Sequence, residues 1–282
     1  IYYVTRTLLD TNDGGSVIRK GTVTNLINRG YKVIVVAPNY NNNHIIHTKS
    51  SIFIPINKNT RILSYAEHMG IIEDYLQFWA KRASKYLKKY VKDDDIVFCT
   101  SGGELGTIML GYYLKKEVSC KFLVNFHDPL GYTTIYGKLF KISQKFHVSR
   151  DSSERKYLSS VDAIVTSTKF YAESLKKKYP ILQNRVYYNY FGYIDKTIYV
   201  SEKKPSNVIT IAYGGAMGHL LSPEILAYAS RGFSNVKVIF IGNVSYFKKF
   251  DFSGINVEFY DSMNREAFLQ FLSQNVDIGF LS

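Results

Sequence analysis

Short apolar runs alternate with longer segments of helical periodicity along this chain, and that alternation predicts its architecture. Tyr2–Val4, Lys32–Ala37, Asp95–Thr100, the run ending at His127, Ala163–Ser167 and Arg185–Tyr188 read as strands, with Ile52–Ile56 and Arg61–Tyr65 as weaker ones. Between them fall predicted helices from Ser16, as N-cap, to Arg29 with Gly30 as terminator, then from Trp79 to Lys92, Leu105 to Lys115 and Lys169 to Tyr179. Pro38 is expected to close the second strand. A polar stretch, Ser201–Asn207, divides the chain into segments 1–200 and 201–282. The pattern then restarts with strand Ile209–Tyr213 and a helix capped by Ser222 with Pro223 at its first position. Strands Lys237–Ile241, Asn256–Tyr260 and Asp277–Leu281 follow, the last preceded by a helix over Asn264–Gln274. Strands separated by helices imply parallel sheets with right-handed crossovers, so the fold class is α/β with two Rossmann-like domains.

Composition supports a packed interior, since 46% of the 282 residues are hydrophobic. No apolar run approaches the length of a bilayer-spanning helix, and no signal-peptide pattern opens the sequence. Cys99 and Cys120 lie in or beside apolar strands without metal-type spacing, which reads as reduced core thiols of a cytosolic protein. The net charge of +13 is confined to the first segment: residues 1–200 hold 29 Lys/Arg against 16 Asp/Glu, and residues 201–282 hold seven of each. Two acid-free amphipathic stretches concentrate it, 79–92 and 136–150. Each alone reads as a solvated helix face or as one turned to an anion; together they suit an anionic membrane surface as partner, and the expected location is the cytoplasm, peripheral at the inner face of the cell membrane. No nucleic-acid-binding motif is present.

Candidate chemistry gathers at strand ends. His127-Asp128 closes an apolar strand before Pro129, where open α/β sheets bind ligands. Glycine pairs recur at strand-to-helix junctions: Gly14-Gly15, Gly102-Gly103 and Gly214-Gly215. Glycine there allows backbone N–H groups to approach an anion at a helix N-terminus. None belongs to a dinucleotide fingerprint or a P-loop. Asp13 reads as a base or as a turn residue before glycine, and Glu104 as a cleft residue or a first-turn helix charge.

The order of these features resembles glycosyltransferase family 4. Gly14-Gly15-Ser16 matches that family's acceptor-side loop, and His127 the histidine beside the donor sugar. Glu154-Arg155-Lys156-Tyr157 through Val161–Ser167 is similar to its glutamate-to-serine segment, Val186–Asn189 to its hinge, and Ile211–Gly215 to the strand and loop opening its donor domain. The resemblance implies the two-domain GT-B fold and metal-independent, retaining transfer of a sugar from a nucleotide-sugar donor, with no cofactor. The acceptor would be a polysaccharide, glycolipid or lipid-linked sugar of bacterial-type surface glycan synthesis. It implies that His127 holds the donor sugar facing the cleft between the domains, with Asp128 orienting it or capping the loop. It further implies that Gly14, Gly15, Ser16, Ser101, Gly102 and Glu104 border the acceptor, and that Gly214, Gly215, His219 and Asn189 lie on the donor side.

Two departures qualify the resemblance. Ala216–Ala229 contains neither of the family's phosphate-neutralising Arg and Lys, only His219. The family's paired-glutamate segment would follow Asp277–Leu281, but the chain ends at Ser282, so the donor domain is expected to be incomplete. A nucleotide-sugar epimerase or hydrolase of related fold, or a non-catalytic binding subunit, are the alternative readings.

Overall fold

A computed structural model describes residues 1–8, 14–56, 59–130, 144–192, 206–215 and 222–280. Contacts divide the chain into two compact units, Ile1–Ile194 and Asp195–Ser282.

The first unit is built on a sheet whose strands are β1 (Tyr2–Val4), β2 (Ile34–Asn39), β3 (Ile46–His47), β4 (Ser51–Pro55), β5 (Ile96–Gly102), β6 (Lys121–Asp128), β7 (Ala163–Thr166) and β8 (Val186–Tyr188). Their spatial order is β3-β4-β2-β1-β5-β6-β7-β8, parallel apart from the antiparallel β3–β4 pair. The helices are α1 (Gly14–Asn28), α2 (Thr60–His68), α3 (Gln77–Leu87), α4 (Gly106–Glu117), α5 (Gln144–Leu158) and α6 (Lys169–Lys178). Strand order reverses direction between β1 and β5, so the crevice at their carboxyl ends is the topological switch point.

Both faces of the sheet are covered, as its near-continuous apolar strands require. Tyr3, Val33 and Val35 pack with Val23 of α1 on one side. On the other, Val4, Val36, Ile52, Ile54, Cys99 and Phe122 join Trp79, Ala83 and Leu87 of α3 and Ile108 and Met109 of α4. Both cysteines are buried free thiols.

Several sequence expectations give way here. Ser16 does not cap the first helix; it is a buried residue within α1, which opens at Gly14. Pro38 lies inside β2 rather than after it. Val35 donates toward Ser50, so the alternate position 38 faces β1, whose pairing has ended at Val4↔Val36, and the missing N–H is not needed. Arg61–Tyr65 is helical, not a strand: Asn59 Oδ1 accepts from the Arg61 N–H at 3.0 Å and caps α2, and Leu63 and Glu67, four apart, form its buried face. In the 136–150 stretch, α5 begins at Gln144 and runs on to Leu158, while 136–143 lie outside the described residues.

The second unit carries β9 (Ile209–Gly215), β10 (Val236–Gly242), β11 (Val257–Tyr260) and β12 (Ile278–Gly279), all parallel in the order β11-β10-β9-β12, with helices α7 (Glu224–Ala229) and α8 (Arg265–Asn275). Phe240, Phe247, Phe252 and Phe259 cluster on one face, and Ala212, Ile239 and Ile241 meet Phe268, Phe271 and Leu272 on the other. Pro223, not Ser222, holds the N-cap of α7, without a side-chain cap bond; Ser222 instead turns the chain at φ 36°.

Gly111 tests the packing of α4 on the sheet. A Cβ there would lie 2.2 Å from the Phe122 ring and 2.8 Å from Cys99 Sγ. Although alanine is the better helix former, Gly111→Ala is expected to destabilise the protein by about 1–3 kcal/mol in chemical denaturation, and a gain in stability would contradict this packing.

Candidate functional site

The switch-point crevice is lined with charge. β5 ends at Gly102 and turns sharply through Ser101–Glu104, with Gly103 at φ +100°. Ser101 Oγ donates to the Glu104 carbonyl at 2.5 Å and accepts from the Gly103 N–H at 3.2 Å. The Glu104 side chain folds back so that Oε2 accepts from the Gly102 N–H at 2.9 Å.

Gly102 is the meeting point. A Cβ on it would sit 3.5 Å from Arg19 Nη2, 3.6 Å from Asp128 Oδ2 and 3.6 Å from Glu104 Oε2. Arg6, just past β1, brings Nη1 to 3.8 Å from Glu104 Oε2, and Tyr40 donates to the Arg6 carbonyl at 3.4 Å. Burial pushes the Glu104 carboxyl up, opposed chiefly by Arg6 and, less, by Arg19. Asp128 is likewise raised by burial and opposed by Arg19 and Arg6. Glu104 Oε1 is buried and accepts no hydrogen bond from the described residues.

His127 is set by a bulge. Ser101 pairs with Phe126 and Gly102 with Asp128, so the register steps over His127. Its Nε2 lies 3.0 Å from Asn125 Oδ1, its carbonyl accepts from Ser167 Oγ at 2.9 Å, and its ring meets Phe191 edge-on with centroids 5.3 Å apart. Asn125, two residues back on the same face, is thus a partner of His127, and the Asp128 carboxylate belongs to the Arg19 group.

Behind the turn lies a second buried network. Arg150 of α5, which the sequence pattern places on a basic outer face, is turned inward. It reaches Glu67 Oε1 at 3.2 Å and Asp74 Oδ2 at 3.3 Å, and donates to the carbonyls of Glu73 at 2.9 Å and Gly103 at 2.8 Å. Asp74 in turn accepts from the Leu76 N–H at 2.8 Å and the Leu105 N–H at 2.7 Å, at the starts of α3 and α4, neither of which has a side-chain cap at its N-cap position. One carboxylate so serves two helix N-termini. The packing is close enough that a Cβ on Gly106 would lie 2.3 Å from Leu76 Cβ and 2.9 Å from Asp74 Oδ1.

Ser101, Gly102, Glu104, His127 and Asp128 are therefore gathered at the carboxyl ends of β5 and β6. Gly14, Gly15 and Ser16 form the first turn of α1, the helix that carries Arg19 into the cluster. Asn189 is exposed, its N–H donating to the Thr166 carbonyl at 2.9 Å. Gly214 and Gly215 end β9 in the second unit, where a Cβ on Gly214 would overlap the Phe268 ring at 2.3 Å, so close helix packing requires that glycine. Asp13 and His219 lie outside the described residues. Arg6, Arg19, Asp74 and Arg150 escaped the sequence reading. For Arg19 a signal existed: Ser16, Arg19 and Val23 recur at i, i+3 and i+7, and all three are buried.

No protein-family profile matches the sequence, and no curated protein does. Solved structures do share its fold. The chain is similar over its whole length, and over 75% of the other's, to α,α-trehalose 6-phosphate synthase from Burkholderia multivorans, with a TM-score of 0.60 at 10% identity. It is similar over 99% of its length, and 73% of the other's, to WaaG, a glycosyltransferase involved in lipopolysaccharide biosynthesis, with a TM-score of 0.55 at 13% identity. The fold is α/β, with two Rossmann-like units of the GT-B kind.

The network behind the turn predicts a pH dependence. Burial and the neighbouring Asp74 raise Glu67 to about 8, against the pull of Arg150. A carboxyl raised in the folded state contributes stability below its ordinary range that is lost as pH rises through the folded value. Between about pH 6 and about pH 9 the wild-type Tm should fall more than that of Glu67→Gln. Parallel Tm curves for the two proteins would refute this.

Proposed function

We propose that the protein is a glycosyltransferase that moves a sugar from a nucleotide-sugar donor to a polysaccharide, glycolipid or lipid-linked acceptor of bacterial-type surface glycan synthesis. The observation that carries this reading is the likeness in fold, over the whole chain, to α,α-trehalose 6-phosphate synthase and to the glycosyltransferase WaaG. The charged crevice at the switch point of the first unit supports it, because ligands of open α/β sheets bind there.

Transfer breaks a C1–phosphate bond through an oxocarbenium-like state, so the protein must hold the departing diphosphate and orient an acceptor hydroxyl. In this reading the second unit takes the nucleotide, with backbone amides near Gly214-Gly215 replacing the cations that Ala216–Ala229 lacks. The first unit takes the acceptor. Glu104 Oε1 accepts from a sugar hydroxyl, Arg6 and Arg19 donate to neighbouring oxygens, and His127, steadied by Asn125 and Phe191, supports the donor sugar. The transfer is retaining and needs no metal ion.

Calorimetry with UDP and GDP, followed by product analysis over a panel of nucleotide sugars and lipid-linked acceptors, tests the proposal. Binding of one nucleoside diphosphate and a sugar-bearing product are expected. Free sugar alone would indicate a hydrolase, and no nucleotide binding would leave a non-catalytic binding subunit. Once a product is found, His127→Ala should lower turnover by about 10²-fold while nucleotide affinity is unchanged. Equal turnover would remove His127 from the site.

A further inference from the structure

The outer surface of α2 and α3 carries an apolar patch beside a basic one. Ile62, Tyr65 and Met69 recur at i, i+3 and i+7, and with Ile71 they are 66%, 69%, 44% and 70% exposed. Phe78 continues the apolar surface onto α3, where Lys81 and Lys85 face outward while Trp79, Ala80, Ala83, Ser84 and Leu87 are buried, and Lys89 is exposed just past the helix end. The two helices adjoin, because Leu63 of α2 and Phe78, Trp79 and Arg82 of α3 line one small cavity.

Charge is sorted across this surface. No acid occurs between Gln77 and Lys92, and Arg61 adds an exposed cation. Of the acids nearby, Glu67 and Asp74 are buried and hold Arg150, Glu73 accepts from Ser153 Oγ at 2.8 Å and Tyr157 OH at 2.6 Å, and Glu117 pairs with Lys88 at 2.9 Å, which leaves Lys81, Lys85 and Lys89 to set the sign of the surface. Large exposed apolar side chains flanked by lysines match the headgroup zone of an anionic bilayer, where apolar bodies enter the acyl boundary and ammonium groups meet lipid phosphates. A second copy of the chain fits less well, since an isologous contact would set lysines against lysines.

We propose that this surface docks the protein on an anionic membrane, with Ile62, Tyr65, Met69 and Ile71 inserted and Lys81, Lys85 and Lys89 on the headgroups. The apolar part of the anchor is then α2, part of which the sequence pattern reads as a strand, and its basic part lies in the 79–92 stretch. Through Glu67 the same helix is tied to Arg150 and so to the Gly103 carbonyl. Docking stands apart from the transferase reading and needs no substrate to be measured, so either can fail alone.

Flotation of the full chain with vesicles of equal parts phosphatidylglycerol and phosphatidylcholine, against phosphatidylcholine alone, tests the proposal. The wild type should float with the anionic vesicles only. Ile62→Ser, Tyr65→Ser and Ile71→Ser combined should weaken partitioning by about tenfold or more. Lys81→Glu with Lys85→Glu should abolish it at low salt. Unchanged emission from Trp79, the one tryptophan, buried and bonded to the Ile54 carbonyl at 3.1 Å, certifies that each variant is folded. A wild type that stays unbound, or an apolar variant that floats as well as the wild type, overturns the proposal. So does loss of a dimer in the apolar variant by sedimentation, which would assign the surface to a second copy.

Discussion

The first unit depends on how one buried guanidinium is satisfied. Arg150 sits among Glu67, Asp74 and the carbonyls of Glu73 and Gly103, contributed by α2, the segment before α3 and the turn after β5. A guanidinium this deep loses its hydration, and only well-placed anions and carbonyls offset that cost, so elements that approach it are held in narrow geometry. Asp74 extends the constraint by accepting from the first amides of α3 and α4. Side chains of α2, α5 and the segment before α3, the first amides of α3 and α4 and the Gly103 carbonyl therefore share a single charge-neutralising cluster, and the Ser101–Glu104 turn takes its position from it.

That arrangement explains why the crevice can hold groups that are costly to bury. Glu104 and Asp128 would be driven toward neutrality by burial, and Arg6 and Arg19 oppose this only in part. Such carboxyls persist where the surrounding backbone is already fixed, here by the short turn from Ser101 to Glu104 and the bulge at His127. Polar groups preorganised in this way are suited to discriminating among the hydroxyls of a sugar ring. On the far side of α2 the same sorting of charge leaves apolar side chains and cations facing outward.

Much of this was legible in the chain. The strands β1, β5, β6 and β10, the restart at Ile209 and the placing of His127-Asp128 at the end of β6 follow from apolar runs bounded by glycine, proline and polar residues, which are local signals. The glycine turn at 102–103 and the inclusion of Glu104 and His127 were legible for the same reason: they fall at strand ends, where parallel sheets place their chemistry. The α2 segment was not, because Ile62 and Tyr65 are apolar yet exposed and imitate a strand, while the residue that marks the buried face is the charged Glu67.

The sequence alone therefore determined the alternation of strands and helices, the parallel character of the sheets and the strand ends at which Gly102, Glu104, His127 and Asp128 fall. These rest on periodicity and on the geometry of proline and glycine, properties of neighbouring residues. Only the tertiary structure decided which charges turn inward. Arg150 lies 76 residues from Asp74, and Arg19 meets Asp128 across more than a hundred. Burial of a charge is settled by partners that the chain brings together through its topology, and no local pattern records who those partners will be.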